Sequence, residues 1–351
     1  MELILIFWSL FLFLAAFITL LPFDHWVVRI FDFPKVQLLV LSAITLILWV
    51  FILKIDTPID YFGIIALCLS IIFHLYRVVP YSPFFPKEVV KCNVETESNG
   101  ISLLASNVLT ENSNYQLLID QIEELQPNLV LTLESDERWE KALSSIEKLY
   151  PHTAKVPQDN LYGMHFYSKL PVKNLEVRYL FKEGIPSIKC KVQITNQQWV
   201  NVYGLHPKPP SPTEAPTSTY RDAELLKVGK EVSKIAEPTI VFGDLNDVAW
   251  SKSTTLFRKI SGLVDPRIGR GRYCTFHADY KLLRWPLDHL FHSKDFCLVN
   301  LKVLPSIGSD HFPIYAKLQL SSLAEQLQEA PKADEDDEVL AEEKIEKAEC
   351  Y

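Results

Sequence analysis

A chain of 351 residues, 48% hydrophobic and with only 11 glycines, has material for one large packed core and lacks the composition of a disordered or fibrous protein. Its formal charge of −8 is carried by its end, because Ser321 to Tyr351 holds 11 acidic and 3 basic residues; the body before it is neutral and shows no broad basic face for gripping nucleic acid, although a neutral total has room for a local basic patch. The six cysteines are widely spaced and contain no CxxC pair, which excludes a local zinc motif and a dense disulfide framework but leaves the redox compartment open.

From Leu3 to Leu21 the chain is almost continuously apolar and carries no charge, long enough to cross a bilayer at about 1.5 Å per residue. It has no basic n-region and no small-x-small cleavage site, and two further apolar runs follow, Val36 to Leu53 and Phe62 to Val79, so membrane helices are expected rather than a cleaved signal. Between the first two runs, DHWVVRIFDFPK sets Trp26, Phe31 and Phe33 beside Arg29 and Lys35, a composition suited to the headgroup level. Residues 1–80 therefore predict a multi-pass anchor of three transmembrane helices in the cell membrane, with a lipid bilayer as partner. Three crossings put the rest of the chain on the side of Arg29 and Lys35. Counting these with Arg77, Lys87 and Lys91 against Lys54 leans towards a cytoplasmic domain, by a margin too small to settle the side against an extracytoplasmic one.

Residues 81–99 read as a linker, opened by the proline-spaced YSPFFP of Tyr81 to Pro86. Strands and helices then alternate over 100–320. Ile101 to Ala105 predicts a buried strand ending at Ser106 and Asn107. Tyr115 to Leu125 predicts an amphipathic helix with Tyr115, Leu118, Ile119, Ile122 and Leu125 on its apolar face, and Leu129 to Leu133 a strand that delivers Glu134. An acidic helical segment runs to Leu149. A hairpin is expected around His165 to Val172, and strands near Ile185 to Ile194 and Trp199 to Leu205, the last delivering His206. A proline-rich loop, Pro207 to Pro216, precedes a charged helix from Thr219 to Ile235.

The stretch TIVFGDLN, Thr239 to Asn246, organises the rest. Side chains alternate along a strand, so Asp244 and Asn246 are expected on one side of its end, and Gly243 permits a sharp exit. Asp-x-Asn alone describes a common turn. It gains meaning from Asp288-His289 and from Ser309-Asp310-His311, each beside another apolar run. Asn107, Glu134, His206, Asp244 with Asn246, and Asp310 with His311 each fall at or beside a predicted strand terminus, where catalytic groups collect. Oxygen donors with two imidazoles suit Mg²⁺-type phosphate chemistry better than zinc. The acidic residues 321–351 predict a disordered or loosely helical tail.

In this order, SNVL, TLE, GLHP, GDLND, PLDHLF and GSDHFPI resemble the signature series of the endonuclease/exonuclease/phosphatase superfamily, the group of DNase I-like nucleases, sphingomyelinases and inositol-polyphosphate phosphatases. HPKPPSPTE, the RDAEL helix and DPRIGRGRYCTFHADYKLLRWPLDHLF resemble a bacterial, membrane-anchored branch of it. The resemblance implies an α/β fold, a four-layered sandwich with two facing sheets, and a membrane-anchored, divalent-metal-dependent phosphoester hydrolase. It implies that Glu134, with Asn107 and Asp310 nearby, serves Mg²⁺ or Mn²⁺. It further implies that Asp244 activates water and that Asn246 steadies the phosphoryl group. On the same resemblance His311 and His206 bind phosphate, and Asp288 orients His311. Leu133 stands where the superfamily has Gln and His289 where it has Tyr, the second putting a titratable ring beside the orienting acid. The substrate is expected to be a phosphoester near the bilayer, with a lipid headgroup among the candidates and Pro207 to Pro216, Arg267, Arg270 and Arg272 flanking the site. Nucleic acid is less favoured on the neutral body, and an inactive scaffold is disfavoured by the intact residue set.

Overall fold

The computed structural model describes residues 2–52, 57–92, 99–195 and 197–350. Its first part is helical: α1 (Glu2–Phe17), a short α2 (Trp26–Arg29), α3 (Lys35–Ile52) and α4 (Pro58–Val78). Two helices, Leu3–Leu20 and Pro58–Tyr81, are long and apolar enough to cross a membrane; a third span exists if the segments Trp26–Asp32 and Lys35–Phe51, bent by 71°, are counted as one. Leu12, Ala15, Leu38, Trp49 and Leu67 pack them together, and Trp49 Nε1 donates to Ser9 Oγ at 3.0 Å. Of the short polar stretch KIDTPID, 54–60, expected as a turn between the second and third apolar runs, 54–56 lie outside the described residues, Thr57 caps α4, and 58–60 are its first turn.

The remainder is a four-layered α/β sandwich. One sheet has the order β10 (Phe296–Val303), β11 (Ile314–Leu320), β1 (Gly100–Asn107), β2 (Leu129–Leu133), β4 (Met164–Ser168), β3 (His152–Val156), and the other β5 (Val172–Arg178), β6 (Ser187–Gln193), β7 (Trp199–Leu205), β8 (Thr239–Asp244), β9 (Asp288–His292). In the first, β1 (Gly100–Asn107) and β2 (Leu129–Leu133) run parallel across the crossover helix α5 (Tyr115–Leu125). In the second, β7 (Trp199–Leu205) and β8 (Thr239–Asp244) run parallel across α7 (Thr219–Val232). Parallel neighbours end at the same edge of a sheet. That is why Asn107, Glu134, His206 and Asp244, each at or just past a strand end, converge. The antiparallel β9 (Asp288–His292) begins at that edge opposite Asp244, and β11 (Ile314–Leu320) begins just after His311.

Inward-facing residues of both sheets, such as Leu103, Leu131, Phe166, Ile188, Val202 and Phe242, form the central core. Leu118, Ile122 and Trp139 seal the outer face of the first sheet, with Trp139 on α6 (Glu137–Leu143). Leu225, Val228 and Phe257 seal that of the second, with Phe257 on α8 (Lys252–Ser261).

Three expectations differ from the structure. No hairpin joins the segments around His165 and Val172, because β4 (Met164–Ser168) and β5 (Val172–Arg178) belong to different sheets. Ser168 Oγ donates to Leu170 O at 2.8 Å and accepts from Leu170 N at 3.0 Å, closing a local turn before Pro171 that carries the chain across the sandwich. β4 instead pairs with β3 (His152–Val156). The linker is not a free tether. Tyr81 is buried and donates to Ala249 O at 2.6 Å, Gly269 N donates to Pro80 O at 2.8 Å, and Glu88 pairs with Arg258 while accepting from Asp265 N at 2.7 Å. Val89 lies in the central core and Cys92 is bonded to Cys297, their Cα atoms 5.2 Å apart; residues 93–98 are outside the described residues.

The acidic tail forms α9 (Ser322–Leu327) and a 15-residue α10 (Glu335–Glu349) rather than a disordered segment. Asp334 caps α10, accepting from Asp337 N, and Ala341 and Ile345 pack against Leu226, Leu256 and Ile260. Lys344 Nζ donates to Asp24 at 2.8 Å and to Asp222 at 2.9 Å, joining the tail, the segment between α1 and α2, and α7. The body's acids thus recruit tail cations, a long-range pairing that the net tail charge hides.

Candidate active site

Gly243 has φ +137°, and a Cβ there would lie 2.1 Å from Leu205 O, so only glycine lets β8 approach β7 closely enough to place Asp244 and His206 side by side. β8 ends at Asp244. Asn246, at φ 51°, lies in the following turn, where its backbone N donates to Asp244 Oδ1 at 2.8 Å and its side chain donates to Pro207 O at 3.0 Å. The two residues come together through an Asx-type turn and not through strand alternation, since the strand is one residue pair too short.

Asp244, 1% exposed, is the hub. Its Oδ2 accepts from Asn107 Nδ2 at 3.2 Å and lies 3.5 Å from His311 Nε2 and 3.9 Å from His206 Nε2. Asn107 Nδ2 also donates to Glu134 Oε1 at 2.7 Å, so one amide bridges two carboxylates, while Asn107 Oδ1 accepts from Leu109 N. His311 Nδ1 donates to Asp288 Oδ2 at 2.8 Å, and Asp288 N in turn donates to Thr275 Oγ1. Asp310 stands beside these, half-exposed, with its Oδ1 accepting from Ser309 Oγ at 3.3 Å. All eight residues singled out in the sequence therefore share one edge of the sandwich.

Charge is unevenly distributed among them. Burial alone lowers the pKa of His311, but the carboxylates of Asp288 and Asp244 override it and push it up to about 10, so the ring is an imidazolium at neutral pH. Burial, reinforced by the charge of His311, drives His206 down to about 3, and its Nδ1 has no hydrogen-bond partner. Burial lifts Glu134 to about 8, opposed by Asn107 and reinforced by Asp310 and Asp244. Asp244 is likewise held above the usual carboxylate range by burial, against the pull of His311.

His289 is not a titrating neighbour. Burial and the adjacent Arg267 depress it to about 3; Arg267 Nη2 and His289 Nδ1 are 2.7 Å apart, and His289 Nε2 lies 2.8 Å from Asp247 O. Arg267 itself is 1% exposed and paired with Asp265, and Arg270 donates to Val89 O, so of the three arginines expected to flank the site only Arg272 is exposed.

Two groups of ligand atoms bear on a metal. Asp244, Asp288 and His311 place theirs within 4.8 Å of one another, but Asp288 and the protonated His311 already satisfy each other, and an imidazolium has no lone pair to give. Glu134 fits better. Its Oε2 is buried without a hydrogen-bond partner, its backbone is held at φ 59°, and its elevated pKa marks a carboxylate that a cation would stabilise in the charged form.

Sequence reasoning missed several supporting residues. Phe276 lies with its ring centroid 4.8 Å from that of His311, Thr110 Oγ1 donates to Glu134 O at 2.9 Å, and Tyr162, which donates to Glu214 of the proline-rich loop, lies 5.5 Å from His206. Behind Asn246, the buried Arg221 donates to its carbonyl at 2.9 Å and is held by Asp222 and Asp247. RDAEL marked that helix, but nothing in its spacing aims Arg221 at Asn246.

The model of the Endonuclease/Exonuclease/phosphatase family matches residues 104–311. No curated protein matches the chain by sequence. Solved structures with a similar fold include a humanized TDP2 of D. rerio, at 15% identity and TM-score 0.53 over 63% of this chain and 99% of that one. They also include an endonuclease/exonuclease/phosphatase from Beutenbergia cavernae, at 18% identity and TM-score 0.51 over 64% and 72% of the two chains. The catalytic domain of human Nocturnin with bound sulfate matches at 15% identity and TM-score 0.50, over 65% of this chain and 97% of that one.

Proposed function

This chain belongs to the endonuclease/exonuclease/phosphatase family, and from that premise we propose that it is a membrane-anchored, divalent-metal-dependent phosphoester hydrolase acting by water attack at phosphorus. The observation that carries the reading is the Asp288–His311–Asp244 relay, 2.8 Å and 3.5 Å, set beside the bridging Asn107 and the unpartnered oxygen of Glu134. Phosphoryl transfer needs positioning and charge neutralisation more than covalent chemistry. Asp288 fixes the His311 ring, whose protonated Nε2 offers a hydrogen bond and a positive charge to a phosphoryl oxygen. Asp244, its basicity raised by burial, accepts the proton of the attacking water. His206 stays neutral and presents a ring nitrogen to the substrate. Asn246 keeps one amide hydrogen free of Pro207 for the phosphoryl group. Mg²⁺ or Mn²⁺, held by Glu134 with Asp310 and positioned by Asn107, would neutralise charge developing on the phosphoryl oxygens.

The test is a substrate panel of bis-p-nitrophenyl phosphate, phospholipids, inositol phosphates and plasmid DNA, each with Mg²⁺ or Mn²⁺ and with EDTA. Hydrolysis of the small diester that requires metal and vanishes in EDTA is the expected result. Full turnover in EDTA sinks the metal, inertness towards every phosphoester sinks the reaction class, and preference for DNA over every lipid makes the chain a nuclease.

The domain belongs, on this reading, to an oxidising, extracytoplasmic side. The support is the Cys92–Cys297 bond, since disulfides persist in such compartments and are rare in the cytosol; it outweighs the small excess of basic residues that leans the other way. In cells, a membrane-impermeant maleimide should leave both cysteines unlabelled until a reductant is added. Labelling of Cys92 and Cys297 only after lysis, without reductant, would place the domain inside.

A further inference from the structure

An open cleft of about 650 Å³ lies between α3 and the loop from Arg272 to Arg284. One wall is the start of α3, where Val40 and Leu41 are 50% and 40% exposed beside Val36. The other is the loop, which presents Leu282, 85% exposed, and Leu283. Gln37 Nε2 donates to Leu282 O at 2.8 Å and ties the two walls together. Three cations line the cleft, Arg272, Lys281 and Arg284, and no carboxylate does. The same loop leans on the active site with its other face: Phe276 packs on His311, Thr275 Oγ1 accepts from Asp288 N, and Ala278 N donates to Asp310 O at 2.7 Å. Trp285, 5.8 Å from Phe33 and 6.2 Å from Phe276, continues that contact back to the segment before α3.

The lining selects its occupant. A soluble phosphate would satisfy the cations but leave Val40, Leu41 and Leu282 in water, while an uncharged apolar segment would cover them and leave three cations unpaired. A molecule with an anionic head and an apolar tail, oriented along the first two turns of a helix apolar enough to enter a bilayer, satisfies both. We infer that this cleft binds an anionic phospholipid of the surrounding bilayer, its phosphate at Arg272 and Lys281 and an acyl chain along Val36, Val40, Leu41 and Leu282, and presents it to the catalytic loop. The inference rests on the membrane-anchored hydrolase reading and specifies where its lipid partner binds. Arg284, whose guanidinium donates to Ala278 O and lies 4.8 Å from the Phe312 ring centroid, holds the loop and is left intact in the test.

The experiment uses the full chain in zwitterionic detergent with EDTA present. Phosphatidylglycerol or phosphatidylcholine is titrated in, and retained lipid is counted by native mass spectrometry; hydrolysis of bis-p-nitrophenyl phosphate is measured separately with Mg²⁺. The native chain should retain phosphatidylglycerol in preference to phosphatidylcholine. Arg272→Ala with Lys281→Ala should weaken that retention about 10-fold or more. Leu282→Asp should do the same, soluble glycerophosphate should not displace the lipid, and Leu282→Asp should hydrolyse the small diester at the native rate. Equal retention of the two lipids, unchanged retention by the variants, or displacement by glycerophosphate overturns the cleft assignment. Selective retention in a chain that hydrolyses no phosphoester supports the cleft and overturns the hydrolase, so the two failures are distinguishable.

Discussion

Asp244→Asn is expected to lower turnover of a small diester by roughly 10²-fold or more while leaving the melting temperature unchanged or slightly higher. The carboxylate is 1% exposed, and burial raises its pKa, so the native state bears a desolvation cost that a neutral carboxamide removes. Asparagine keeps an oxygen for Asn246 N but loses the proton-accepting power, the hydrogen bond from Asn107 Nδ2 and the charge facing His311, losses that offset the desolvation cost it removes. Undiminished turnover would remove Asp244 from the chemistry; a large loss of stability would mean that the residue is structural. His311→Ala is a less clean test. It abolishes turnover on the same argument, but it also strands Asp288, fully buried, without its partner, at a cost of about 3 kcal/mol.

Lys344→Met should destabilise the full chain by about 2 kcal/mol, read as a lower melting temperature in detergent, since Asp24 keeps Lys347 and Asp222 keeps Arg221. One ammonium, 17% exposed, answers two acids, Asp24 at 7% and Asp222 at 0% exposure, and methionine covers the apolar stem without answering either. Asp222 also grips Arg221, which donates to Asn246 O, so turnover should fall with stability, and Lys344→Arg should restore most of both. A melting temperature unmoved by Lys344→Met, or no loss when the chain is cut after Gln328, would mean that α10 docks without energetic consequence.

Much of the sandwich was legible because its strands are buried on both faces and read as plain apolar runs. Leu129 to Leu133 and Tyr115 to Leu125 have the bounds expected, each closed by its own local signal, Glu134 in the first case and Gln126 with Pro127 in the second. The convergence of Asn107, Glu134, His206 and Asp244 was legible as position at strand ends, but its cause, two parallel strand pairs terminating at one edge, needs strand order that no local pattern carries. What misled were features settled by partners far away in sequence. Lys344 and Asp24 are 320 residues apart, and Arg267 reads as a surface cation until Asp265 and His289 enclose it. The expected hairpin failed for a related reason, since periodicity shows that two segments are extended and not which sheet each one joins.

The pinning of residues 80–92 onto the sandwich has a kinetic consequence. With Pro80, Tyr81, Glu88, Val89 and Cys92 all engaged, the body has no hinge on which to swing away from the helical bundle. For a lipid substrate, a catalyst fixed in height and tilt draws on a two-dimensional supply. Its rate should follow the mole fraction of substrate within the leaflet, falling when inert lipid dilutes it at constant bulk concentration. If the chain is membrane-anchored as proposed, vesicles added in trans should be poorer substrates than the host bilayer at equal bulk concentration, because the body cannot swing away from its own helices.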